Sequence, residues 1–200
     1  MNREKVEYYL KISKICIALF ILITLIVWLL PMNRVDIYFN KTLHTQGFIG
    51  EKMQFITDIA NPVIAILATL LIVVIFKPAR NNSFWILLKM FGGIALAVVI
   101  KFLVHRARPD NQIITNSGFS YPSIHTVSAV ILVCTLYELM NQQEKRNVGL
   151  IFFNIFWVSL VMTSRIALGN HYLTDTIGGV LLSLAWVYMC NYYRLKKLDY

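Results

Sequence analysis

Three short segments hold the residues of this chain that could do chemistry. Lys101-Phe-Leu-Val-His-Arg-Ala-Arg108-Pro109 carries two cations seven residues apart, Tyr121-Pro122-Ser123-Ile124-His125 a hydroxyl and an imidazole, and Ser164-Arg165 through His171 to Asp175 a guanidinium, an imidazole and a carboxylate. All three lie between strongly apolar runs, where ionisable groups are costly unless they are used. Seven helical residues fall about 20° short of two turns, so Lys101 and Arg108 are expected to point the same way. Pro109 disfavours helical geometry at Arg108; the helix should end there and free the guanidinium to reach a site. Taken alone, this segment is equally a pair of snorkelling cations at a membrane boundary.

Ser123 stands at the entrance of the next apolar run, where a helix N-terminus offers unpaired N–H groups and a positive dipole end for an anion. Capping explains Ser123 equally well. Arg165 and His171 converge only if Gly169-Asn170 turns the chain. His171 and Asp175 are four residues apart, the spacing that puts a carboxylate beside an imidazole on one helix face. A carboxylate bonded to one ring nitrogen fixes the tautomer and leaves the other nitrogen free to attack or to take a proton. Zinc would need a compact ligand pattern such as H-E-x-x-H, and three nearby cations would repel a metal, so no metal is expected. Three cations, a hydroxyl and a helix N-terminus suit a tetrahedral dianion, because phosphoryl transfer depends mainly on positioning and charge stabilisation. The two histidines then divide the acid and nucleophile roles.

The elements that must position these residues are membrane helices. The 200 residues are 58% hydrophobic and 14% charged, far below the roughly 25% charged of soluble domains. The net charge of +9 sits in short segments beside apolar runs rather than on one basic face, so nucleic acid is not an expected partner. Cys16, Cys134 and Cys190 fall inside apolar runs and read as small core or lipid-facing side chains. The expected fold is all-α, one integral-membrane domain over residues 1–200 with six spans near 12–30, 59–76, 84–104, 123–139, 148–166 and 174–190. The first is read as an uncleaved membrane helix rather than a signal peptide. Gly92-Gly93 and Gly178-Gly179 would let helices approach closely, and Asn154 is read as an interhelical hydrogen-bonding group. Asn33 to Thr57 is read as an ordinary connecting loop in preference to an interfacial segment over the site mouth. Arg106 is read as a solvated loop charge in preference to a widening of the positive field. His44 has no assignable partner.

With six spans both termini share a side. Twelve of the nineteen Lys and Arg residues fall there (Arg3, Lys5, Lys11, Lys14, Lys77, Arg80, Lys89, Lys145, Arg146, Arg194, Lys196 and Lys197). The positive-inside rule therefore puts both termini in the cytoplasm and the polar constellation on the outward, extracytoplasmic face.

The three segments, in this order, resemble the tripartite signature of the type 2 phosphatidic acid phosphatase superfamily, which includes lipid phosphate phosphatases and is related to vanadium haloperoxidases. The resemblance implies a membrane lipid phosphatase with no cofactor. His171 would be the nucleophile that forms a phosphohistidine, Asp175 would orient it, and His125 would protonate the leaving oxygen. Lys101, Arg108, Ser123, the Ile124 backbone N–H and Arg165 would hold the phosphoryl oxygens. The implied substrate is a lipid phosphate monoester or diphosphate: phosphatidylglycerophosphate, phosphatidate or undecaprenyl diphosphate. Six spans without a soluble helical domain argue against the haloperoxidase reading, and the absence of a charged path across the middle argues against a transporter. One residue departs from the pattern: Ile124 stands where the family has Gly. If that position needs positive φ, or if its backbone N–H must approach phosphate without a side chain in the way, a β-branched residue fits poorly. The alternative function is then a catalytically weak or silent protein that binds lipid phosphate in the membrane.

Overall fold

A computed structural model describes residues 3–141 and 147–197. Lys145 and Arg146, counted above for topology, lie outside the described residues. Nine helices follow one another among them: α1 (Arg3–Leu29), α2 (Arg34–Leu43), α3 (Gly47–Ile59), α4 (Pro62–Ile75), α5 (Lys77–Asn81), α6 (Ser83–Val104), α7 (Ile124–Met140), α8 (Val148–Ala167) and α9 (Leu173–Lys197). No strand occurs among the described residues, in line with the all-α expectation.

Helices α1, α6, α8 and α9 are each long and apolar enough to cross a membrane, and α3 with α4 forms a pair bent by 42° that reaches that length together. By length and composition this makes four spans, or five with the bent pair, against the six expected. The 17-residue α7 is apolar but shorter. Large apolar side chains point outward along these helices, among them Leu22, Leu67, Val74, Leu103, Phe152 and Phe156. A soluble protein would hide such a surface; lipid tails accept it.

Local sequence explains the helix ends. Asn61 caps α4 by accepting from the Val63 N–H at 2.9 Å, and Pro62 occupies the first turn, where its missing N–H is no loss. The Asn147 side chain accepts from the Leu150 N–H at 3.1 Å and starts α8. Helix α6 stops at Val104, four residues before the end expected from Pro109, because His105 turns left-handed (φ 54°). Helical spacing therefore does not align Lys101 with Arg108; the chain folds back instead.

The segment from Asn33 to Thr57 is not an ordinary loop. It forms α2, which packs against α8 and α9, and α3, which packs against α8. The Thr45 N–H donates to the Ala167 carbonyl at 3.1 Å, and the Thr57 and Ser164 hydroxyls lie 3.0 Å apart. Here the His44 Nδ1 is buried and has no hydrogen-bond partner among the described residues.

At the centre, α7 and α9 pack on each other and on α6, while α1 lies along α9. The small residues do what their size suggests. A Cβ at Gly93 would sit 2.4 Å from Ile131 Cδ1, and one at Gly178 would sit 2.5 Å from the Tyr121 ring. Tyr121 is fully buried, 2.8 Å from the Thr24 hydroxyl and stacked on Phe20, so it has little room to yield. Gly178→Ala is accordingly expected to destabilise the protein by about 1–3 kcal/mol, the usual range for overpacking, read as a lowered melting temperature in detergent. The Asn154 amide donates to the Val133 carbonyl at 3.3 Å, the interhelical bond expected of it. The three cysteines are free. Lys89, counted above as a flanking cation, is instead fully buried and paired with Glu138 at 2.6 Å.

Candidate active site

The three segments meet where α6, α7, α8 and α9 reach the end of the bundle that carries α2 and α3. From α6, the Lys101 ammonium donates to the Phe119 carbonyl and, at 3.2 Å, to that of Ser120. In the following loop Arg108 donates through Nε to the Gly118 carbonyl at 3.0 Å and through Nη1 to the Asn170 carbonyl at 2.7 Å. The same Nη1 lies 3.3 Å from His171 Nε2. Arg108 is thus held by backbone carbonyls, which leave its charge uncancelled.

Ser123 is fully buried at the N-cap of α7, where its oxygen accepts from the Thr126 hydroxyl at 3.1 Å and, at the outer limit of 3.5 Å, from the Thr126 N–H. Ile124 is the first residue of α7 and is not among the residues with positive φ. The conformational demand that would make glycine necessary is absent. The N–H groups of Ile124 and His125 fall in the first turn, which lacks intrahelical acceptors. His125 lies within electrostatic reach of Arg165, His171, Arg108 and Lys101.

Arg165 comes from the last turn of α8 and is 2% exposed. Its Nε is buried with no hydrogen-bond partner among the described residues. Leaving a buried guanidinium N–H unmatched costs free energy unless an anion completes the site. After Arg165 the chain reverses at Gly169 (φ 67°), where a Cβ would stand 2.5 Å from the Asn111 carbonyl oxygen, so glycine is required by conformation and by space. This turn supplies the convergence that the sequence required: the His171 and Asn170 N–H groups donate back to the Arg165 carbonyl at 3.1 and 3.0 Å.

His171 is buried, with Nδ1 3.4 Å from Asp175 Oδ2. The pair is adjacent but not aligned as a hydrogen bond, and Nδ1 has no hydrogen-bond partner among the described residues. Burial first, then the positive charges of Arg165, Arg108 and Lys101, hold the His171 imidazole well below the usual histidine range; the Ser120 backbone opposes them weakly. The ring is therefore neutral at physiological pH, the form a nitrogen nucleophile needs.

Arg106 is the clear correction. Far from being a solvated loop charge, it is 3% exposed and every N–H of its guanidinium has an acceptor. Nε and Nη2 donate to the Pro31 carbonyl at 3.2 and 2.6 Å, Nη1 to the Thr174 hydroxyl and Asp175 Oδ1 at 2.7 Å each, and Nη2 to Asp36 Oδ2 at 2.7 Å. Its plane also lies over the Tyr172 ring at 4.2 Å. Asp36, on α2, was missed altogether. Its Oδ1 accepts from the Thr174 N–H at 2.9 Å and its Oδ2 from the Thr174 hydroxyl at 2.6 Å, so it caps α9 from across the fold. The one local signal was Asn33, whose side chain accepts from the Asp36 N–H at 2.9 Å and marks a helix start.

Lys101, Arg108, Ser123, Ile124, His125, Arg165, His171 and Asp175 thus come from four helices and two loops to one end of the bundle. A family model described as the PAP2 superfamily matches residues 82–199, which contain all three segments. The chain belongs to the PAP2 superfamily. Phosphatidylglycerophosphatase B of Bacillus subtilis (strain 168) is 34% identical over 92 residues, 43% of this chain and 45% of that protein, so the match spans less than half of the relative's length. In fold, the chain is similar to the crystal structure of a transmembrane PAP2-type phosphatidylglycerolphosphate phosphatase from Bacillus subtilis, with a TM-score of 0.79 at 21% identity over 92% of this chain and 96% of that one. Aquifex aeolicus LpxE is also similar, with a TM-score of 0.65 at 14% identity over 82% of this chain and 97% of that one. PAP2 membership and several apolar helices make this an integral membrane protein. Asp36 lies before the matched residues.

Proposed function

We propose that this protein is a membrane lipid phosphatase that works through a phosphohistidine and needs no metal. The observation that carries the reading is the contrast between two buried arginines. Arg106 has every donor matched by protein acceptors, whereas Arg165 Nε has none and lies within electrostatic reach of His171. A phosphoryl group is the anion that Arg165, Arg108 and Lys101 together suit.

In this reading Lys101, Arg108, Arg165, the Ser123 hydroxyl and the Ile124 N–H hold the non-bridging oxygens. His171 Nε2 attacks phosphorus, the bond from phosphorus to the lipid oxygen breaks, and His125 gives that oxygen its proton. Water then attacks the phosphohistidine, His125 takes a proton from it, the phosphorus–nitrogen bond breaks and phosphate leaves. Asp175 keeps the Nδ1 side of His171 oriented and stabilises the positive charge that forms on the ring.

The whole chain forms one membrane domain in this account, with α4 and α7 crossing as shorter spans to complete six, both termini cytoplasmic and the site outward. The lipid is phosphatidylglycerophosphate, phosphatidate or undecaprenyl diphosphate, and the kinship with a phosphatidylglycerophosphatase favours the first. Purified protein in mixed micelles, offered these three lipids, should release phosphate in a vanadate-sensitive, chelator-insensitive manner. No release from any of them, or loss on chelation, would overturn the reading. The silent-binder alternative rests on Ile124; the regular helical backbone there answers its conformational ground and leaves the Ile124 N–H able to donate, so the alternative is not favoured. Ile124→Gly should therefore change kcat by less than about threefold while costing roughly 0.5–1 kcal/mol of stability, the usual price of glycine in a helix.

A further inference from the structure

The phosphatase reading accounts for the three segments but gives no task to Arg106 or Asp36. Resting on that reading, we propose that these two are positioning residues: Asp36 on α2 orients the Arg106 guanidinium, which fixes the Asp175 carboxylate so that Oδ2 faces His171 Nδ1. The geometry is over-determined at each link. Asp175 Oδ1 is occupied by Arg106 at 2.7 Å and Oδ2 accepts the Tyr172 N–H at 2.9 Å, so the carboxylate cannot rotate without breaking one bond or the other. Arg106 in turn is forked between Asp175 and Asp36 and held from behind by the Pro31 carbonyl. Asp36 is anchored by Asn33 Nδ2 at 2.6 Å and by both donors of Thr174, next to Asp175 in the chain.

Charge makes the arrangement more than a staple. Asp36 and Asp175 are both fully buried and share one guanidinium. Without Asp36, Arg106 would be free to close on Asp175 alone and draw its carboxylate off the imidazole. Without Arg106, two buried carboxylates would be left without their cation, so that the protonation as well as the orientation of Asp175 would change. The consequence reaches the membrane surface. Asp36 belongs to α2, so the seating of α2 is tied through a single arginine to the residue that orients the nucleophile.

The test uses full-length Asp36→Asn, Arg106→Gln and Arg106→Lys in mixed micelles with dioleoyl phosphatidate and, in parallel, phosphatidylglycerophosphate, together with inhibition by inorganic vanadate. The phosphate-holding cations are untouched, so KM and the vanadate inhibition constant should stay within about threefold, whereas kcat should fall roughly 10-fold for Asp36→Asn and roughly 100-fold for Arg106→Gln, the scale of an ångström-sized misplacement. Arg106→Lys keeps the charge and loses the fork; it should fold as the wild type does and still lose most of the rate. Because Asp36 acts through Arg106, the Asp36→Asn, Arg106→Gln double variant should be no slower than Arg106→Gln alone. Unchanged kcat in Arg106→Lys and Asp36→Asn would overturn the proposal. So would vanadate affinity falling in step with kcat, or additive losses in the double variant, since either would reduce the pair to general support of the fold. A wild-type protein inactive on both lipids and on undecaprenyl diphosphate would instead refute the phosphatase reading itself.

Discussion

Replacing His171 with alanine is expected to lower phosphate release by at least roughly 10⁴-fold, the loss typical of removing a covalent nucleophile, with the protein still folded and still able to bind product phosphate. The expectation follows from the state of the ring. His171 is kept neutral by its burial and by three cations, its Nε2 lies 3.3 Å from Arg108 Nη1 and its Nδ1 3.4 Å from Asp175 Oδ2. One nitrogen faces the charge that would hold a phosphoryl group and the other faces a carboxylate, the polarity that an attacking imidazole requires. Phosphate release by stopped assay, compared with the melting shift that inorganic phosphate induces, separates loss of chemistry from loss of the site. Residual turnover within tenfold of wild type would remove His171 from the nucleophile role.

Arg165→Leu should give the second large effect and an informative pair of signs. Activity should fall by roughly 10²–10³-fold, because a charge-assisted contact to the transferred group is lost in a low-dielectric site. The unliganded protein should at the same time become more stable. Arg165 is 2% exposed with Nε unmatched among the described residues, and a leucine of similar volume removes a buried cation. A raised melting temperature without ligand, together with loss of the stabilisation that vanadate gives the wild type, is the expected combination. A lowered melting temperature would mean that Arg165 is structural.

The sequence made the site legible because its chemistry is concentrated in short segments with strong local grammar. Gly169 had to turn the chain for Arg165 and His171 to meet, and it does so with a positive φ that no other residue there could match. Asn61 and Asn147 cap the starts of α4 and α8 with their side chains, and Pro62 takes the first turn of α4. Tertiary contacts were harder to read. Arg106 sits in a polar connection where an arginine is ordinarily solvated, and only the approach of α2 and the start of α9 buries it. Asp36 is 138 residues from its partner Thr174, and no periodicity links the two. Lys89 looked like a membrane-flanking charge because its partner Glu138 lies on another helix. The helices of residues 34–59 escaped for a different reason: α2, ten residues long and strongly mixed in polarity, depends on packing rather than on a long apolar stripe. The conformational doubt about Ile124 could not be settled without its backbone, which is ordinary helix.

The most direct test of the central claim is to capture the covalent intermediate. The protein is mixed with ³²P-labelled phosphatidylglycerophosphate or phosphatidate, quenched in alkali within milliseconds, digested and mapped. The account expects an acid-labile, base-stable label on the peptide that contains His171, absent from His171→Ala and retained longer in His125→Ala, where hydrolysis of the intermediate lacks its base. A turning-over enzyme that never acquires label, or one that carries it on a peptide without His171, would contradict the account.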